Sequence, residues 1–115
     1  MEPNVNKCSV QEARDAIYKN PNYQLVDVRE QIEYDTVRIP MSLLVPLSTF
    51  EQDYTKINQN NLIYLLCGVG KRASLAAEFL ASRGYEDLFV IEGGIKAWIN
   101  AGYSFVGDKK KYSPE

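Results

Sequence analysis

At 115 residues, with 45% hydrophobic and 24% charged side chains and a net charge of −2, the chain has the size and balance of one ordinary globular domain. The near-neutral charge supplies no broad basic surface, so nucleic acid is not an expected partner, and no apolar segment is long enough to span a membrane. Histidine is absent and there are only two cysteines, Cys8 and Cys67; this excludes serine–histidine and cysteine–histidine catalysis and makes a zinc site improbable.

The chain opens with MEPNVNK, which has no signal-peptide pattern, so the expected location is the cytoplasm and the expected state of both cysteines is the thiol. Asn6 to Cys8 reads as a short edge strand. Ser9-Val10-Gln11-Glu12 fits a capping box with Ser9 as N-cap, and Val10, Ala13, Ala16 and Ile17 form the apolar stripe of a helix that Asn20-Pro21-Asn22 ends. Cys8 precedes the cap and is expected to pack inward near Ala13; the alternative is a resolving thiol for Cys67. Gln24 to Val28 is the second strand. Asp27 and Arg29 straddle its end: a partly buried aspartate needs donors, which Arg29 or loop N–H groups supply, and the two residues are also candidates for shaping a site there.

Glu30 to Asp35 predicts a short helix. Leu43 to Leu47 predicts a strand ended by Pro46, and Ser48 to Lys56 one or two helical turns. Asn58-Gln59-Asn60-Asn61 is a polar turn too short for a linker. Leu62 to Leu66 is a continuous apolar run, as expected of a strand buried on both faces. Past it, Leu75, Ala76, Phe79 and Leu80 recur at helical spacing, Gly84 is placed for a left-handed cap, and Tyr85 is expected to pack back on Leu80. Asp87 to Ile91 is the last strand. Glu92-Gly93-Gly94 turns the chain into a helix with Ile95, Trp98 and Ile99 on its inner face, ended by Ala101-Gly102. Trp98 reads as a core anchor rather than a substrate platform. Residues 104–115 read as a solvated tail carrying Lys109-Lys110-Lys111.

The chemistry concentrates between Leu66 and the following helix. Cys67 lies at the carboxyl end of a strand, where open α/β sheets place their ligands. The loop Cys67-Gly68-Val69-Gly70-Lys71-Arg72 carries two glycines that let successive N–H groups turn inward, then the positive end of a helix, then two cations. The pattern describes an anion cradle around a sulfur, and such surroundings favour the reactive thiolate.

This loop has the form Cys-x-x-Gly-x-Arg and resembles the active-site loop of rhodanese-like sulfurtransferases. Asp27-Val28-Arg29-Glu30 is a second resemblance to that family, and Gly93-Gly94-x-x-Ala97-Trp98 followed by Ala101-Gly102 is a third. A fourth segment, Val37-Arg38-Ile39-Pro40-Met41-Ser42, aligns with the family's Gly-His-Ile-Pro-Gly-Ala but replaces Gly-His with Val37-Arg38 and Gly-Ala with Met41-Ser42. Arg38 either adds charge near the site or is a solvated surface arginine. The likeness runs from about Lys7 to Tyr103.

The resemblance implies an α/β, three-layer rhodanese-like fold: a mostly parallel central sheet of about five strands with helices on both faces, in a single domain over residues 1–115. It implies a thiosulfate sulfurtransferase in which Cys67 is the nucleophile and carries a persulfide. Gly68, Val69, Gly70, Lys71 and Arg72 are then the substrate-binding residues, with Asp27 and Arg29 in support. The donor is a small anionic sulfur compound such as thiosulfate. The acceptor is cyanide, a thiol, a thioredoxin-like protein or a sulfur-carrier protein. No cofactor or metal is implied. Arg72 follows Cys67 by five positions; phosphatase and arsenate-reductase relatives have one residue more, so those activities rank below sulfur transfer. A partner-binding or sulfur-relay module without turnover is the alternative from another class.

Overall fold

The computed structural model describes residues 5–111. Five strands form one parallel sheet: β1 (Val5–Cys8), β2 (Tyr23–Asp27), β4 (Leu43–Leu44), β5 (Leu62–Leu66) and β6 (Leu88–Ile91), in the order β1-β6-β5-β2-β4. The sheet is the expected one, with β5 at its centre. A two-residue strand, β3 (Val37–Arg38), lies outside it and pairs antiparallel with β7 (Val106–Gly107).

The central strands alternate between two cores. Val26, Val28, Ile63, Leu65 and Val90 face α3 (Phe50–Asp53) and α4 (Lys71–Ser82). Leu25, Tyr64, Leu66 and Ile91 face α1 (Val10–Lys19) and α5 (Gly94–Asn100). Both faces are covered, which is why β5 reads as an unbroken apolar run. Each fully buried leucine or isoleucine contributes about 1.5–3 kcal/mol, so the strand carrying the cysteine is among the most firmly held parts of the fold.

Local signals place the helices. Ser9 Oγ accepts from Glu12 N at 3.0 Å and Glu12 Oε1 accepts from Ser9 N at 2.9 Å, completing the capping box of α1. Gly84, at φ +86°, ends α4, and Tyr85 N donates back to Leu80 O at 3.1 Å. Trp98 is buried, its Nε1 donates to Ser104 O at 2.8 Å, and its ring meets Tyr103 edge-on at 5.1 Å.

Several boundaries differ from the sequence expectation. The strand expected to run to Leu47 stops at Leu44, although Val45 N and Leu47 N still donate to Asp27 O and Val28 O at 2.9 and 3.0 Å. Pro46 lies between those two donors and has no N–H of its own. The expected solvated tail is partly structured: β7 rests on β3, and Asp108 N donates to Thr36 O at 2.9 Å. Gly107 permits this approach because its φ is +119° and a Cβ there would overlap Thr36 O. Lys109–Lys111 form an exposed 3-10 turn, and the tail from residue 112 on lies outside the described residues.

Candidate active site

Cys67 is the first residue beyond β5 and is fully buried, at 0% exposure. Its Sγ accepts a hydrogen bond from Gly70 N at 2.9 Å and a longer one from Ala73 N at 3.4 Å. Gly70 caps α4 at φ +115°, a conformation that glycine adopts without steric cost. The turn curls the loop until an amide of the loop and an amide of the helix converge on one sulfur. Ala73 lay outside the Gly68–Arg72 segment expected from sequence; only the handedness of the turn brings its N–H to the thiol.

The loop is also held from below. Ile95 N donates to Cys67 O at 2.8 Å and Lys96 N to Gly68 O at 3.3 Å, so the first turn of α5 engages the carbonyls of the cysteine and its neighbour. Gly94, at φ +58°, makes this possible: a Cβ there would overlap Cys67 O and Gly68 O. Gly94 therefore does more than turn the chain, which was all that the local sequence showed.

Arg72 and Lys71 part company. Arg72, in the first turn of α4, donates from Nη1 to Glu33 Oε1 at 2.7 Å and from Nη2 to Glu33 Oε2 at 2.9 Å. Glu33 lies on α2 (Gln31–Thr36) and closes a capping box with Glu30 N at 2.9 Å. Its carboxyl is held below the usual carboxylate range, first by the hydrogen bond from Arg72, against a smaller opposing effect of burial. Sequence reasoning assigned Glu33 no role. Lys71 is exposed and lines a cavity on the outer side of the loop rather than contacting the sulfur.

Asp27 and Arg29 form a buried ion pair, both side chains at 0% exposure. Arg29 Nε and Nη2 donate to Asp27 Oδ1 and Oδ2 at 3.0 and 2.8 Å, and Arg29 N adds a bond to Oδ1 at 3.0 Å. Arg29 also reaches forward, with Nη2 to Val37 O at 2.6 Å and Nη1 to Glu33 O at 3.4 Å. Asp27 stands beside Leu66 in the sheet register. The pair thus ties the strand next to Cys67 to the helix that presents Glu33 to Arg72. Among the described residues, neither Asp27 nor Arg29 is hydrogen-bonded to Cys67 Sγ.

Cys8 faces the other core. It pairs with Ile91 across β1 and β6 and packs with Ala13, Tyr64 and Trp98, whereas Cys67 belongs to the α4 side. Burial, then Glu12 and Glu92, push the Cys8 thiol up to about 11. With β6 between them and strands about 4.8 Å apart, the two thiols do not meet; packing accounts for Cys8. Arg38 stacks over the Tyr34 ring at 5.3 Å. Among the described residues no three Cys, Asp or Glu side chains converge as metal ligands.

The thiosulfate:glutathione sulfurtransferase of Saccharomyces cerevisiae is 28% identical over 120 residues, covering 92% of this chain and 84% of that protein. The adenylyltransferase and sulfurtransferase uba4 of Ogataea parapolymorpha is 35% identical over 75 residues, covering 64% of this chain but only 19% of its own length. Other curated relatives are also longer, the chain spanning 51% of one and 26% of another. A rhodanese-related protein from Thermoplasma volcanium superposes with a TM-score of 0.80 at 27% identity, over 90% of this chain and 99% of that one. Residues 9–101 match the description "Rhodanese-like domain", and the chain belongs to that family.

Proposed function

We propose that the chain is a sulfurtransferase that carries sulfane sulfur on Cys67. The observation that bears most weight is the pair of backbone amides, Gly70 N and Ala73 N, directed at Cys67 Sγ. In a chain without histidine, such dipoles are what can hold the sulfur as an anion. In the first half-reaction the Cys67 thiolate attacks the outer sulfur of thiosulfate. The sulfur–sulfur bond of the donor breaks, sulfite leaves with the bonding pair, and Cys67 becomes a persulfide. In the second, cyanide or a thiolate attacks the outer sulfur and Cys67 returns as thiolate. Candidate acceptors are a thiol, a thioredoxin-like protein or a sulfur-carrier protein. Gly68 to Arg72 serve as the binding loop, with Asp27, Arg29 and Glu33 holding it.

One observation favours a second reading. Cys67 has no exposed surface, so a donor reaches Sγ only if the groups covering it give way. A relay or partner-binding module with slow turnover fits that closure. A thiosulfate:cyanide assay, combined with mass mapping after thiosulfate treatment, separates the two. Turnover in the wild type, abolished in Cys67→Ser, with one sulfur atom gained at Cys67, supports the transferase. Sulfur found only on Cys8 overturns the assignment.

A further inference from the structure

Along the outer edge of the sheet, β2 is only half covered. β4 meets it at Val26 and Asp27, and among the described residues no strand lies on that side of Tyr23, Gln24 and Leu25. Leu62 N donates to Asn22 O and Val28 N to Leu66 O, so the even-numbered residues here turn their backbone groups toward β5. Asp27 O accepts from Val45 N and so faces the other way. By the same alternation Tyr23 and Leu25 face the uncovered edge. A cavity of about 310 Å3 lies there, lined also by Met41 and Leu43.

A second cavity, of about 180 Å3, adjoins the first and shares Tyr23, Leu25 and Met41 with it. Leu25, Ile39 and Trp98 bring it down to the core. An apolar space of about 150 Å3 accepts a benzene ring, so this one has room for a single aromatic or large aliphatic side chain. Arg14 lines its side, with the guanidinium carbon 4.9 Å from the Tyr18 ring centre and 4.7 Å from that of Tyr103. Arg14 forms no ion pair among the described residues.

Met41, which lines both cavities, is the residue that the fold does not explain. Its φ is +69° and its surface is 87% exposed. The left-handed region is strained for methionine, and so exposed a side chain gains little packing in return. Uncompensated strain of this kind points to use of the residue, and a flexible thioether suits contact with a partner.

We propose that an extended segment of a partner protein docks here as an added strand beside Tyr23–Leu25. It sets one aromatic or large aliphatic side chain in the smaller cavity and a carboxylate against Arg14. Each observation selects part of that occupant. The open backbone edge requires a strand. Alternate residues of a strand share a face, so the apolar residue and the acid stand two positions apart. The unpaired guanidinium requires the acid. Tyr23 is level with Leu62, at the opposite end of β5 from Leu66, roughly 13 Å away at 3.3 Å per residue. The inference therefore does not rest on sulfur transfer at Cys67.

The test is selection of random heptapeptides on the full chain, followed by titration of the strongest one into 15N-labelled protein. The selected peptides should share an aromatic or large aliphatic residue with an aspartate or glutamate two positions away. Saturable shifts should appear at the amides of Tyr23, Gln24, Leu25, Met41 and Leu43. Met41→Gly should weaken binding about fivefold through lost apolar contact. Arg14→Gln should weaken it about threefold, the range of a partly exposed ion pair. Replacing the peptide's acid by its amide should cost the same, with the protein unaltered. Cys67→Ser should bind as the wild type does. Peptides without a common pattern, shifts confined to other surfaces, or full affinity in both Met41→Gly and Arg14→Gln would each overturn the proposal. So would shifts at these amides that grow with protein concentration alone, which would make the occupant a second copy of this chain.

Discussion

Arg72 and Glu33 lie 39 residues apart in the chain, yet the guanidinium of one meets both carboxylate oxygens of the other, at 2.7 and 2.9 Å. The pair fastens the helix that begins at the cysteine loop to a short helix reached from the neighbouring strand. Bidentate pairs of this kind are the geometrically specific form of an ion pair, and here both side chains are largely screened, at 19% and 25% exposure.

Glu33→Gln should therefore lower stability by about 1 kcal/mol near neutral pH and slow sulfur loading by loosening Arg72. The pH dependence gives the sign. The folded carboxyl titrates below its reference value of 4.5, so its contribution is fully present above that value and is lost as pH falls through the folded pKa. The difference in melting temperature between wild type and variant should be largest at pH 7 and shrink below pH 4.5. A gap that persists at acid pH would mean that side-chain packing, not charge, carries the effect.

Gly94→Ala tests the support beneath the loop. The added Cβ would overlap the carbonyls of Cys67 and Gly68, at a backbone φ of +58° that also disfavours alanine. A loss of about 2–3 kcal/mol is expected, and on the proposed function sulfur loading should fall further, because the displaced carbonyls belong to Cys67 and Gly68. Gly102→Ala is the control: that glycine also has positive φ, at +81°, but nothing lies within 4 Å of its Cβ position. Equal losses in the two variants, by chemical denaturation, would show that strain alone accounts for Gly94.

Asp27→Ala should be the most damaging of these changes. It strips a fully buried arginine of its carboxylate, and an uncompensated buried charge costs about 3–5 kcal/mol. Arg29 also holds Val37 O and Glu33 O, so amide exchange in α2 should rise along with the global loss. A combined Asp27→Leu and Arg29→Met variant should recover part of the stability, because it removes the stranded charge. If the double variant is less stable than Asp27→Ala, the pair acts through its forward hydrogen bonds more than through its charge balance.

Met41→Gly should stabilise the protein. Met41 sits at φ +69° with 87% of its surface exposed, so its side chain gains little from packing while its backbone is in the left-handed region. Relief of about 1–2 kcal/mol of strain outweighs the added freedom of glycine in the unfolded chain, about 0.5–1 kcal/mol. A net gain of about 0.5–1 kcal/mol is expected in the denaturation midpoint. A loss would mean that the Met41 side chain makes a stabilising contact that outweighs the strain.

What the sequence determined by itself is local. The unbroken run Leu62–Leu66 showed a central strand, the spacing of Ala76 and Leu80 a helix face, Ser9 and Glu12 a capped start, and Cys67 between strand and glycines a place for chemistry. These features depend on residues a few positions apart, where periodicity and backbone preference are strong. The family's motifs extended this to the parallel sheet. What only the tertiary structure decided is which distant groups meet. Glu33 reaches Arg72 because α2 crosses toward the start of α4. Gly94 is needed because α5 presses its first turn against Cys67 O. Lys71 leaves the sulfur for a cavity shared with Lys7, and residues 106–107 pair with a strand nearly seventy residues earlier. Each depends on how the elements cross, and crossing is set by the packing of the two cores rather than by any short stretch of chain.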